Sequence, residues 1–181
     1  MRQPDFSIFP VVETERLKLR KLLLDDAAEI YQLRSDLKIA ALTGRIPATS
    51  LNDAISFIHN IEKFVEENQS VYWAISFKDA PSLIGTICLW NFDLQNETVE
   101  IGYELLPQFQ NKGIMAEAIV HILNYGFKTI KVKMITAFPS DDNPRSVKLL
   151  EKVGFKLASD SYQNTHENVP GLLTFTLSNP G

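Results

Sequence analysis

Two hydrophobic periodicities alternate along this chain of 181 residues. Apolar residues at every second position, as in residues 16–22, predict half-buried strands. Apolar residues three and four apart, as in residues 113–130, predict amphipathic helices. A chain that carries both patterns must pack helices against a sheet, which predicts an α/β (α+β) fold.

The order of these segments predicts a mixed central sheet of about six to seven strands with about four flanking helices. Turn-rich residues connect the three central strands at hairpin lengths, which predicts an antiparallel meander. The last two helices each link one strand to the next, and such crossovers predict parallel pairing. The predicted strands are residues 16–22, 71–77, 83–92, 99–105, 133–138, 155–158 and 172–177. The predicted helices are residues 27–33, a segment beginning at Asn52, 113–130 and 144–153, and residues 42–50 are predicted as a loop.

Composition excludes several classes of function. The chain has 18 Lys and Arg against 22 Asp and Glu, a formal net charge of −4, which argues against a nucleic-acid binder. No apolar run approaches the ~20 residues of a membrane-spanning helix, and the N-terminus lacks a signal-peptide pattern. We therefore expect a single cytoplasmic domain spanning residues 1–181 that binds neither nucleic acid nor membrane.

Neither a metal site nor a disulfide is predicted. The three histidines, His59, His121 and His166, lie far apart and have no second ligand at metal-binding spacing. Cys88 is the one cysteine, and its apolar surroundings predict a buried strand residue in a reducing compartment.

Residues 99–118 form the most informative segment. A predicted strand is followed by Pro107 and then by Lys112 and Gly113, which open a helix. The first turn of a helix presents unpaired N–H groups and a partial positive charge, so a glycine-bearing loop at that point can hold phosphate oxygens. The spacing matches neither the dinucleotide GxGxxG motif nor the GxxxxGK[ST] phosphate loop.

Two motifs in this order carry a family resemblance. Gln110-x-x-Gly113 follows a strand, and residues 142–155 place Asn143 and Ser146 ahead of Lys152-Val153-Gly154-Phe155. Together they resemble the GNAT superfamily of N-acetyltransferases over residues 14–177. The opening residues 13–20 look like the branch that contains the ribosomal-protein N-terminal acetyltransferases.

The resemblance implies a GNAT-like fold with a parallel pair at the splayed fourth and fifth strands, and acetyl-CoA as acyl donor without a metal. Main-chain groups of Leu105 and Leu106 would pair with the pantetheine arm, and one of them would meet the oxyanion. Asn143 would bond the pantetheine or thiol end, although an N-cap of the following helix explains it equally well. The pyrophosphate would be held by Gln110, Asn111, Lys112, Gly113, Ile114, Met115 and Ala116.

Amine attack on a thioester requires a base, for which carboxylates on the fourth strand are candidates. Period-two alternation puts Glu100 and Glu104 on one face; we expect Glu104 to act through water, with Glu100 second, while solvated surface acids are the alternative. Leu150 replaces the tyrosine that commonly protonates the thiolate in this superfamily, so Ser146 or solvent is expected to supply that proton. Tyr103 and Tyr162 are the other candidate phenols. Met115 also departs from the signature, where glycine or alanine is usual.

The leading interpretation is an N-acetyltransferase in which a primary amine attacks acetyl-CoA directly in a ternary complex. A protein N-terminal amine ranks above a small-molecule amine by branch resemblance. A non-catalytic acyl-CoA sensor is the alternative from another class, supported by Leu150. Loops at residues 42–51 and 159–170 are expected to select the substrate, and a homodimer is left open.

Overall fold

The computed structural model of the chain describes residues 1–159 and 171–181. Within them, eight strands form one sheet, and five α-helices flank it. The strands are β1 Val12–Glu13, β2 Leu17–Lys21, β3 Ser70–Phe77, β4 Ala80–Asp93, β5 Thr98–Leu105, β6 Met134–Ala137, β7 Lys156–Leu157 and β8 Phe175–Ser178. The helices are α1 Ala27–Ser35, α2 Leu37–Thr43, α3 Leu51–Glu66, α4 Ile114–Asn124 and α5 Pro144–Lys152, and α4 continues into a π-helical segment, Tyr125–Ile130.

The strand order is β1-β2-β3-β4-β5-β6-β8-β7. Strands β1 to β5 pair antiparallel with their neighbours, and β5 pairs with β6 in parallel. This confirms the predicted mixed sheet and its central meander. In the second crossover, β8 inserts between β6 and β7 and pairs antiparallel with both. The parallel contact is therefore limited to β5 and β6.

The structure corrects two details of the prediction. The sheet has eight strands rather than six or seven, because β1, which was not predicted, has only two residues, too few to show a period. Helix α2 was not predicted, and it enters the segment predicted as a loop at residues 42–50. Asp36 caps α2 by accepting from the backbone N–H groups of Lys38 and Ile39, and Gly44 ends it in the left-handed conformation.

Helices cover both faces of the sheet. On one face, α1 and α3 pack over Leu22, Ala74 and Leu83. On the other, α4 and α5 pack over a larger cluster that contains Trp73 and Leu89. No helix in the described parts of the chain is both long and apolar enough to span a bilayer. Residues 99–101 and Leu105 of β5 are buried, and the remaining β5 residues are half-buried.

Strands β5 and β6 diverge after three paired residues. The ladder joins Thr98, Val99 and Glu100 to the first three residues of β6 and then stops, although β5 continues to Leu105. The predicted splayed pair is confirmed at this point. Cys88 lies in the neighbouring β4 as predicted, half-buried, and burial raises the pKa of its thiol to about 12.

Candidate active site

Two cavities meet beside the diverging end of β5. One, of about 480 Å³, lies between the start of α4 and α5, and we call it the α4 cavity. The other, of about 600 Å³, opens between β5 and the residues that follow β6, and we call it the β5–β6 cavity. The residues that line both are Leu42, Thr43, Tyr103, Asn143 and Ser146.

Most of the predicted cofactor residues line the α4 cavity. Gly113 has a φ of 72°, a left-handed conformation that glycine adopts without strain, and it directly precedes α4. The first turn of α4 lines the cavity with residues 114–116, and the first N–H groups of a helix have no partner within it. Lys112 is outside the lining, and its carbonyl accepts from Arg16. The predicted residues in the lining are Glu104, Leu105, Gln110, Asn111, Gly113, Ile114, Met115, Ala116, Asn143 and Ser146.

Side-chain hydrogen bonds connect the loop at residues 110–113 and the first turn of α4 to neighbouring segments. Gln110 donates from Nε2 to the Leu105 carbonyl at 2.9 Å and accepts from Arg145 Nη1 at 3.1 Å. Glu117, in the first turn of α4, accepts from Arg16 Nε at 2.7 Å and from the Thr14 hydroxyl. The loop thus enters α4 held from both sides.

The main-chain N–H groups of Leu105 and Leu106, at the end of β5, differ in whether β4 already accepts their hydrogen bond. The Leu106 N–H donates to the Ile84 carbonyl at 3.0 Å, and its own carbonyl accepts from the Phe109 N–H at 2.9 Å. Because antiparallel pairing alternates, the N–H of Leu105 points away from β4 and toward the opening beside β6. Leu105 is therefore the better placed of the two predicted residues for a donor.

The two cavities differ in charge. Arg145, Lys148 and Lys152 line the α4 cavity from one face of α5. Their spacing of three and four residues is a signal that sequence reasoning missed. The β5–β6 cavity is lined by Glu100, Asp141 and Asp142, and no Lys, Arg or His of the described residues lines it.

The two predicted carboxylates share a face of β5, where Glu100 is buried and Glu104 is half-buried. Glu100 is 5% exposed, lines the β5–β6 cavity and accepts from Asn91 Nδ2 at 2.6 Å. Glu104 lines the α4 cavity and forms an ion pair with Arg45. Burial raises the pKa of Glu104 above its ordinary value, although the charge and hydrogen bond of Arg45 oppose that rise. Arg45 was not identified from the sequence, since a pairing over 59 residues leaves no local pattern.

Two hydroxyls stand where the cavities join. The Tyr103 Oη and Ser146 Oγ atoms lie 2.8 Å apart. The Ser146 N–H donates to Asn143 Oδ1 at 3.1 Å, which confirms Asn143 as the N-cap of α5. Leu150 is fully buried at the back of the β5–β6 cavity.

Comparison with known proteins decides the family. The family model described as an acetyltransferase (GNAT) domain matches residues 16–156. The chain belongs to the GNAT family. It is an N-acetyltransferase. The basic face of α5 and the N-terminus of α4 are suited to an anionic, phosphate-bearing group.

The relatives cover nearly the whole chain. The uncharacterized N-acetyltransferase YoaA of Bacillus subtilis strain 168 is 32% identical over 161 residues, which are 89% of this chain and 91% of YoaA. A spermidine N-acetyltransferase from Vibrio cholerae in complex with CoA and spermine superposes with a TM-score of 0.74 at 22% identity, over 90% of this chain and 95% of that one. The ribosomal-protein-S5-alanine acetyltransferase from Vibrio fischeri gives a TM-score of 0.75 at 21% identity, over 94% and 97%. These two superpositions concern the fold alone.

Two further expectations for the site concern metal ligands and the substrate loops. Among the described residues, no group of three or more His, Cys, Asp or Glu is placed to hold a metal ion. The first predicted substrate loop contributes Leu42, Thr43 and Gly44 to the cavity linings. The second, at residues 159–170, lies outside the described residues except for Ser159.

Proposed function

We propose that this protein acetylates a primary amine that enters the β5–β6 cavity while acetyl-CoA occupies the α4 cavity. The observation that carries the proposal is the meeting of a cation-lined and a carboxylate-lined cavity at Tyr103, Asn143 and Ser146. An anionic donor and a cationic acceptor are each matched by the charge of their own cavity. The reaction is direct attack of the amine nitrogen on the thioester carbonyl carbon within a ternary complex.

The α4 cavity supplies contacts for the donor. The N–H groups from Asn111 to Ala116 receive the pyrophosphate, and cations on α5 add charge. The Gln110 N–H, which was also predicted, already donates to the Pro107 carbonyl at 3.2 Å. The Leu105 N–H is the main-chain donor that we assign to the pantetheine arm or to the carbonyl oxygen as it gains negative charge. Leu106 lies outside both cavity linings and both of its main-chain groups already have partners, so we assign it no contact with the donor.

The acceptor must lose a proton before it attacks, and Glu100 is the base that this geometry favours. Its carboxylate lines the acceptor cavity, whereas Glu104 lines the donor cavity and is engaged by Arg45. Four residues along a strand span about 13 Å, so both carboxylates cannot contact one amine directly. The order of preference inferred from the sequence, with Glu104 first, is therefore reversed in this proposal, and Glu104 remains the second candidate.

A protein N-terminal amine is the first acceptor class, supported by the resemblance of residues 13–20 to the ribosomal-protein branch. A small polyamine is the second. It is favoured by the carboxylates of Glu100, Asp141 and Asp142, which would attract an acceptor with more than one positive charge.

A thiol-release assay with acetyl-CoA and an amine panel tests the function. We expect free thiol to appear with peptides that carry a free N-terminus, and not with the same peptides after N-terminal acetylation. Release with polyamines but not with peptides would select the second acceptor class. If CoA binds tightly but no amine in the panel causes thiol release, the proposal is contradicted and a non-catalytic binding role is supported.

A further inference from the structure

We propose that Tyr103 and Ser146 form a two-hydroxyl relay that delivers a proton to the departing CoA thiolate. The inference rests on the proposed function and names the acid that the reaction requires. It assigns to two side chains on different elements the task that a phenol at position 150 would perform alone.

The geometry provides the first support. Tyr103 projects from β5, Ser146 projects from the first turn of α5, and their oxygens are 2.8 Å apart. Both residues line both cavities, which is where the sulfur must lie if donor and acceptor meet. The hydrogen bond from Ser146 N–H to Asn143 holds that turn of the helix in place.

Position 150 cannot perform the task. Leu150 carries no ionisable group, and it is fully buried in the apolar core that α5 shares with β5. Ser146 lies one turn earlier on the same helix and faces the junction of the cavities. The Ser146 side chain is short and carries one hydroxyl proton. The Tyr103 phenol beside it supplies a second proton through the hydrogen bond between them.

The neutral amine nitrogen forms a bond to the carbonyl carbon and gives up one N–H proton to the proposed base, Glu100, which passes it to solvent. The carbon–sulfur bond breaks with its electron pair on sulfur. Ser146 donates its hydroxyl proton to sulfur while Tyr103 donates its own proton to the Ser146 oxygen. The phenolate then regains a proton from solvent in the cavities, so the proton lost by the amine is balanced by the one taken up by the relay.

Burial raises the pKa of Tyr103 to about 12, against the opposing effect of its hydrogen bond with Ser146. The phenol is protonated at neutral pH, as one with an ordinary pKa of about 10 would also be. The raised pKa makes it a weaker acid, so the relay depends on the return of a proton from solvent.

The first test uses CoA itself and needs no acceptor. Thiolate absorbance is titrated for CoA bound to the wild type, with desulfo-CoA, which lacks the thiol, as the blank. Hydrogen bonds to a thiolate stabilise it, so Ser146→Ala is expected to raise the pKa of the bound thiol by about 1, and Tyr103→Phe by about half as much. The matched control is Tyr125→Phe, which removes a phenol that packs on Trp73 outside both cavities and should leave the thiol pKa unchanged.

The second test is a double-mutant cycle with an active amine. Tyr103→Phe is expected to lower kcat by about 10- to 100-fold while KM for acetyl-CoA changes less than twofold. If the two hydroxyls act as one unit, adding Tyr103→Phe to Ser146→Ala lowers kcat no further. Melting temperatures within a few degrees of the wild type show that each variant is folded.

Two results would overturn the relay. One is a Tyr103→Phe variant with unchanged kcat and unchanged thiol pKa, and the other is a cycle in which the two effects multiply independently. A wild type that releases no thiol with any amine would instead defeat the proposed function. The CoA titration would still report whether the two hydroxyls contact the sulfur.

Discussion

At the scale of single residues, two glutamates on one strand face have different environments. Glu100 lines the β5–β6 cavity, whereas Glu104 is half-buried beside Arg45, whose Nε is a buried donor without a hydrogen-bond partner among the described residues. Removing the charge of Glu100 should therefore affect proton transfer, whereas removing the charge of Glu104 should affect stability.

We predict that Glu100→Gln lowers kcat/KM at neutral pH by about 100-fold, since general-base catalysis contributes about that much. The increase of rate with pH that reflects the base should also be lost. Glu104→Gln should leave that pH dependence in place and lower the free energy of unfolding by about 2 kcal/mol, because Arg45 loses its charged partner. The measurement is a pH–rate profile with parallel melting curves. The reverse pattern in the two variants would make Glu104 the base.

Glu117 couples the turn before β2 to the first turn of α4. Burial raises the pKa of its carboxyl, but hydrogen bonds from Thr14 and Arg16 outweigh this effect and leave the pKa below its ordinary value. A group with a lowered folded-state pKa stabilises the protein above its unfolded-state pKa. That stabilisation is lost as the pH falls through the folded-state pKa.

We therefore predict that Glu117→Gln is less stable than the wild type at pH 7 by about 1 to 2 kcal/mol. The difference should shrink as the pH is lowered toward 3, because the wild-type carboxylate is then protonated as well. Urea unfolding at several pH values measures it. Glu66→Gln, on the exposed side of α3, is the matched control, and a difference that does not depend on pH would contradict the prediction.

At the scale of elements, α5 combines three roles: a capped start, one face in the core and one face along the α4 cavity. Its N-cap Asn143 and Pro144 start the helix, Leu150 anchors it in the core, and its basic residues face the α4 cavity. The 3.6-residue period separates these roles onto different faces. Replacing the lysines on the exposed face of α5 should therefore weaken the binding of acetyl-CoA without unfolding the helix.

We predict that the double change Lys148→Gln and Lys152→Gln raises the Kd of acetyl-CoA by about 3- to 20-fold, because each exposed ion pair contributes at most about 1 kcal/mol. The loss should be largest at low salt and diminish as ionic strength rises. Isothermal titration at two salt concentrations measures it. Lys63→Gln, exposed on α3 and outside both cavities, is the control that should change nothing. A Kd that is insensitive to salt in the wild type would contradict this interpretation.

At the scale of the whole molecule, the donor cavity joins elements that are distant in the sequence. Its lining comes from α2, β5, the start of α4 and α5. A ligand that contacts all of them binds the folded state and not the unfolded chain, so it stabilises the entire domain.

Acetyl-CoA at 100 times its Kd is predicted to add about 2.7 kcal/mol to the free energy of unfolding. For a domain of this size, this corresponds to an increase in Tm of about 5 to 10 °C. A thermal melt measures it, and acetyl phosphate at the same concentration, which lacks the nucleotide, is the control and should give no such shift. An unchanged Tm with acetyl-CoA would contradict the assignment of the α4 cavity to the donor.

Much of the architecture could be predicted because its signals are local. The period-two segments became β2 to β5, the helical stripes became α1, α3, α4 and α5, and Gly113 stands where the loop enters α4. The family motifs are equally local, so residues 110–116 could be identified from the amino-acid sequence alone. What had no local signal was missed, as with the two-residue strand β1, and helix α2 was missed as well.

The sequence by itself determined the succession of elements, the glycine turn before α4 and the cap of α5, since each depends on residues within a few positions of one another. Only the tertiary structure decided that Glu100 and Glu104 line different cavities, that Arg45 pairs with Glu104, and that Tyr103 meets Ser146. Those arrangements depend on helices covering both faces of the sheet and on β5 leaving β6 after Glu100. Contacts between residues 43 or 59 positions apart are set by packing, and no period in the sequence encodes them.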